Sequence, residues 1–174
     1  MRIKVVTSYK PGTWNEYAKR AVDSVLQHWP DDTRVAVYHE GQDQDVFTHD
    51  RIEWHDVHEK QPNLVKFKTK YKNDPVANGE ITEIANGIRR PGPMPKKGSY
   101  QWNAVRFSNK VFCVTHALKH SVGYDYVVWL DADTYTFRHM PKVFLQSLLP
   151  TQTMITYLGR ENPDLNDCLL YTSP

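Results

Sequence analysis

Tyr126-Val127-Val128-Trp129-Leu130 is an uninterrupted apolar run that breaks off into Asp131-Ala132-Asp133-Thr134, and nothing else in the chain limits its fold as tightly. Five consecutive apolar side chains leave no polar face. A strand built from them is covered on both sides, as in a parallel sheet sandwiched between helices. The beginning of the chain supplies the companions such a strand needs. Ile3-Lys4-Val5-Val6-Thr7 is a β-branched run stopped by the turn-forming Ser8-Tyr9-Lys10-Pro11-Gly12. Tyr17, Ala18, Ala21, Val22, Val25 and Leu26 then recur at helical spacing over residues 14–29; Thr13 or Asn15 can cap the start, and Pro30-Asp31-Asp32 ends it. Residues 34–39 and 51–57 read as a second and a third strand, so the expectation is an α/β domain with a mostly parallel sheet flanked by helices.

The middle of the chain is less regular. Leu64, Phe67 and Tyr71 give one face of a lysine-rich helix after Pro62-Asn63, but residues 73–100 hold Gly, Pro, Asn and Lys without periodicity. That stretch is expected to be a flexible excursion, either a lid or a solvated insertion. Over residues 104–120, Phe107, Val111, Val114 and Leu118 form an apolar stripe, which places Arg106, Asn109, Lys110 and His116 on the other faces of a helix. A short helix over 141–149 and a strand over 153–157 follow the acidic motif.

Composition narrows the partners. With 174 residues the chain suits one domain, and its net charge of +2 is dispersed, so no basic block calls for nucleic acid or a membrane surface. Cys113 and Cys168 have no metal-ligand spacing and are too few for a disulfide framework, which fits a reducing compartment and a cytoplasmic setting. Neither a signal peptide nor a membrane span is legible.

In extended chain, side chains two residues apart point to the same side, so Asp131 and Asp133 are expected to project together past the carboxyl end of a central strand, the edge at which open α/β sheets bind ligands. Paired carboxylates repel unless a proton or cation lies between them, and Mg²⁺ or Mn²⁺ favours carboxylate and phosphate oxygens. A metal bridging the protein to a diphosphate, offsetting charge on a departing nucleoside diphosphate, accounts for the pair. The competing explanation is an Asp-rich turn that caps backbone amides.

Taken with Phe107-Ser108-Asn109-Lys110 on the preceding helix, the run from Tyr126 to Thr134 resembles GT-A fold glycosyltransferases, particularly the glycogenin-like group and small bacterial or phage relatives. The resemblance implies a nucleotide-diphosphate-sugar donor, with a UDP-sugar favoured, and an acceptor that is a glycan, protein or small molecule. It also implies a metal held by Asp131 and Asp133, with Asp133 the firmer ligand and Asp131 on the metal or the ribose. Thr7, Ser8 and Tyr9 would line the nucleoside pocket, with Tyr9 stacking on the base. Lys110 would face the phosphates or donor sugar with Arg106 as companion; a solvated helix face is the equal alternative for these two cations. The family's further His ligand has no counterpart here. The closing Cys168-Leu169-Leu170-Tyr171-Thr172-Ser173-Pro174 resembles translated adapter sequence, so the single domain is expected to be incomplete at its C-terminus.

Two other classes compete. In haloacid dehalogenase-like phosphatases a buried strand also ends in Asp-x-Asp, the first Asp acting as nucleophile; that motif wants Thr or Val where Tyr135 stands, and places its strand near the N-terminus. A degenerate transferase that binds without turnover is the non-enzymatic alternative.

Overall fold

The computed structural model describes residues 1–41, 48–79, 103–148, 154–158 and 168–172. Strands β1 (Ile3–Tyr9), β2 (Arg34–His39), β3 (Ile52–Asp56), β4 (Tyr126–Trp129), β5 (Ile155–Leu158) and β6 (Cys168–Thr172) form one sheet in the order β3-β2-β1-β4-β6-β5. The first four are mutually parallel, and β6 runs antiparallel to both β4 and β5.

Alternation along β1 sorts the core into two layers. Ile3 and Val5, with Val35, Val37 and Val128, meet Val22 and Val25 of α1 (Lys19–His28), which is entered through a π-helical turn at Trp14–Ala18; Leu145 of α5 (Lys142–Leu148) closes the same layer. Val6, Ala36, Tyr38 and Val127 face the other way, toward Leu64 of α3 (Pro62–Tyr71) and Cys113, Val114 and Ala117 of α4 (Ala104–Lys119), with α2 (Val57–Lys60) between β3 and α3. Each fully buried aliphatic side chain contributes about 1.5–3 kcal/mol through area removed from water. The two faces follow from chain handedness. The steps from β1 to β2 and from β3 to β4 travel in opposite directions across the sheet, so right-handed crossovers put their helices on opposite sides. The strand order therefore reverses between β1 and β4, which makes their carboxyl ends the switch point of the sheet.

A buried arginine fixes the turn that delivers β2. Arg51 is 8% exposed and donates to three carbonyls: from Nε to Thr33 (2.9 Å), from Nη1 to Leu26 (3.0 Å) and from Nη2 to Pro30 (3.1 Å).

Several expectations need correction. β1 continues through Ser8 and Tyr9, because Tyr38 and His39 of β2 pair with them and override the local turn signal. In α4 the buried face carries Ser108, Cys113, Val114, His116 and Ala117, whereas Phe107 and Val111 are 41% and 62% exposed. The helix is rotated from its apolar stripe because Ser108 satisfies itself on the Val105 carbonyl and His116 finds a partner in Tyr38, so both polar groups enter the core at low cost. The closing residues Cys168–Thr172 pair as β6 between β4 and β5. Of the excursion expected over 73–100, the described part, 73–79, is a series of turns; the remainder lies outside the described residues. Among the described residues no helix is long and apolar enough to cross a membrane.

Candidate functional site

At the switch point the Leu130 N–H donates to the Val6 carbonyl (3.0 Å), carrying the β1–β4 pairing one residue past β4 and delivering Asp131 beside the end of β1. There the chain turns. Thr134 N–H donates to the Asp131 carbonyl at 2.9 Å, closing a tight turn over Asp131-Ala132-Asp133-Thr134. The two carboxylates therefore belong to a turn rather than to extended chain, and strand alternation does not set their common direction. Ala132 is buried against the core on the α1 side, while Asp133 is exposed to solvent.

Asp131 is the organised member of the pair. Its Oδ1 accepts from Trp129 Nε1 at 2.6 Å and from Lys110 Nζ at 3.4 Å, and that ammonium also lies 5.1 Å from the Trp129 ring centroid. An indole from the last residue of β4, a lysine from the second turn of α4 and a carboxylate from the turn thus meet in one group. Because the Asp131 side chain is 48% exposed, the ion pair is worth only ~0–1 kcal/mol, so a bound anion can draw Lys110 away from it at little cost. Arg106 lies one turn earlier on α4, exposed, with its own N–H taken by the Asn103 cap.

The three residues expected to line a nucleoside pocket do not act together. Thr7 and Tyr9 are buried on the α1 side of the sheet; Tyr9 is 2% exposed and its ring centroid sits 5.3 Å from that of Trp14. A base could stack on Tyr9 only by displacing core. Ser8, between them, faces α4 and hydrogen-bonds Cys113, on the same side as Lys110 and Asp131. Burial outweighs that bond and pushes the Cys113 thiol up, so it stays protonated.

One polar group at this edge escaped the sequence reading. Glu40, directly after β2, accepts from Lys68 Nζ (2.8 Å) and from Asn109 Nδ2 (2.7 Å), and Asn109 Oδ1 is buried without a hydrogen-bond partner among the described residues. An acidic residue just past a parallel strand was the available signal. Deeper on the same face, Tyr38 Oη and His116 Nδ1 lie 2.7 Å apart, with the His55 and His120 rings against His116. Burial, then the nearby His120 and His55, holds the His116 imidazole down to about 4, so it is neutral at physiological pH.

Among the described residues no three His, Cys, Asp or Glu side chains gather into a metal cage. Asp131 and Asp133 instead offer hard oxygen donors at a solvent-facing turn, the donor set with which Mg²⁺ or Mn²⁺ is held by one or two carboxylates together with substrate phosphates. No protein-family model matches this chain, nor does any curated protein.

Proposed function

We propose that this chain is the donor-binding part of a metal-dependent glycosyltransferase of GT-A type, taking a sugar from a nucleotide-diphosphate donor, a UDP-sugar in the favoured case. One observation carries the reading: Lys110 and Asp131, 21 residues apart in sequence, meet at the carboxyl edge of the sheet where the strand order reverses. Open α/β sheets bind their ligands at that edge, and a cation beside an acidic turn suits a metal-bound diphosphate.

Each residue has a distinct task in this scheme. Asp131 and Asp133 would hold Mn²⁺ or Mg²⁺, and a bound cation supplies charge neutralisation for the diphosphate leaving group. The Trp129 N–H occupies Asp131 Oδ1 and so fixes the carboxylate's orientation. Lys110 exchanges its weak contact with Asp131 for the phosphate oxygens. Ser8 lies on the same face, near the end of β1, and would line the nucleoside pocket.

Calorimetric titration of UDP with Mn²⁺ and then with chelator, repeated on Asp133→Asn, tests the proposal. Metal-dependent binding that the variant loses is the expected result. Folded protein that binds neither UDP nor GDP in the presence of Mn²⁺ contradicts it.

A further inference from the structure

On the opposite side of the sheet from Lys110 and Asp131, a cavity of about 480 Å³ opens between β4, α5 and residues 134–141. Val128, Leu130, Leu145, Leu148, Trp29 and Phe144 supply its apolar lining. The volume is in the range of small-molecule sites, and the lining is almost wholly apolar. Its rim is fastened down. Thr136 N–H donates to Ser24 Oγ (2.9 Å), Thr136 Oγ1 accepts from Trp29 Nε1 (2.9 Å), and Met140 N–H donates to the His28 carbonyl (2.8 Å).

Among the described residues no carboxylate lines the cavity, whereas Arg138 does. Across the Tyr135-Thr136-Phe137 rim lies an open polar groove of about 490 Å³, lined by Lys19, Arg20 and Asp23, where the Arg20 guanidinium sits 4.4 Å over the Tyr135 ring. Phe137 (73%) and Phe144 (45%), both in the lining, stay exposed. We infer that this cavity binds a monomeric anionic amphiphile, its apolar body between β4 and α5 and its head at Arg138. The inference does not depend on the donor site.

Calorimetry with decyl phosphate below its micelle concentration is the test, with decanol and inorganic phosphate in parallel. Saturable binding of decyl phosphate is expected, with inorganic phosphate giving none. Phe144→Glu, which puts a charge into the apolar wall, should weaken it about tenfold or more. Arg138→Glu should weaken decyl phosphate but not decanol, and Val143→Glu, exposed and outside the lining, should bind as the parent does. The inference is overturned by absence of saturation in folded protein, by parent-like binding in Phe144→Glu, or by affinity for anionic phosphatidylglycerol vesicles without affinity for the monomer.

Discussion

His116 makes the stability of this fold depend on pH in a window that no other perturbed group among the described residues shares. Its side chain is buried at 8% exposure against Tyr38, His55 and His120, and its folded-state value falls from the ordinary 6.5 to about 4. The unfolded chain therefore takes up a proton below about pH 6.5, whereas the folded chain does so only near pH 4, and stability falls as pH drops between the two. Each unit below 6.5 removes about 1.4 kcal/mol, so lowering the pH from about 7.5 to about 5 costs about 2 kcal/mol. Glu53 does not confuse this range. A hydrogen bond from His55 and then the Lys4 contacts hold its carboxyl near 2, so its contribution is lost only below its ordinary 4.5, and its 38% exposure discounts it further. Urea unfolding of the parent and of His116→Gln across that interval provides the assay. The glutamine cannot titrate but keeps an amide for the Tyr38 hydroxyl; it should start about 1 kcal/mol less stable at neutral pH and lose less than half as much on acidification. A variant that loses the same 2 kcal/mol as the parent would refute the assignment to His116.

Arg51→Met removes three guanidinium-to-carbonyl bonds at the turn before β2 and should cost about 3 kcal/mol in thermal unfolding; a loss under about 1 kcal/mol would mean those carbonyls find water instead. Lys110→Met should leave the unfolding midpoint nearly unchanged, since its pair with Asp131 is worth ~0–1 kcal/mol, while weakening Mn²⁺–UDP binding about tenfold by calorimetry; equal binding in parent and variant removes Lys110 from the phosphate role. Trp129→Phe deletes the 2.6 Å bond to Asp131 and is expected to lower Mn²⁺ affinity in a titration without UDP, and an unaltered titration curve would show that Asp131 is oriented without the indole.

The sheet was legible because its signal is redundant. β1, β2 and β4 bury apolar side chains on both faces, with Lys4 and Thr7 of β1 the polar exceptions, and any register that buries them gives much the same sheet. The helix faces were less legible for a specific reason. On α4, Phe107, Val111, Val114 and Leu118 satisfy helical spacing as well as the true core face does. The choice between the two was made by polar partners far away in sequence, with Tyr38 admitting His116 and Glu40 engaging Asn109. Hydrophobicity alone cannot register a partner 78 positions away.

The same distinction governs the acidic pair, and it changes how the motif should be understood. Its position followed from the apolar strand before it, but its geometry did not. Strand alternation would give Asp131 and Asp133 equal standing, whereas the Thr134-to-Asp131 hydrogen bond turns the backbone and separates their roles. Asp131 is held by Trp129 and Lys110, both on the sheet-to-α4 side, while Asp133 projects from the turn into solvent. A held carboxylate has its orientation set before a ligand arrives, whereas an exposed one is ordered only on binding. In the proposed donor site, substitutions at Asp131 should therefore disturb Lys110 and Trp129 as well as the cation, and substitutions at Asp133 should affect the cation alone. That asymmetry makes Asp133→Asn the cleaner probe of metal dependence.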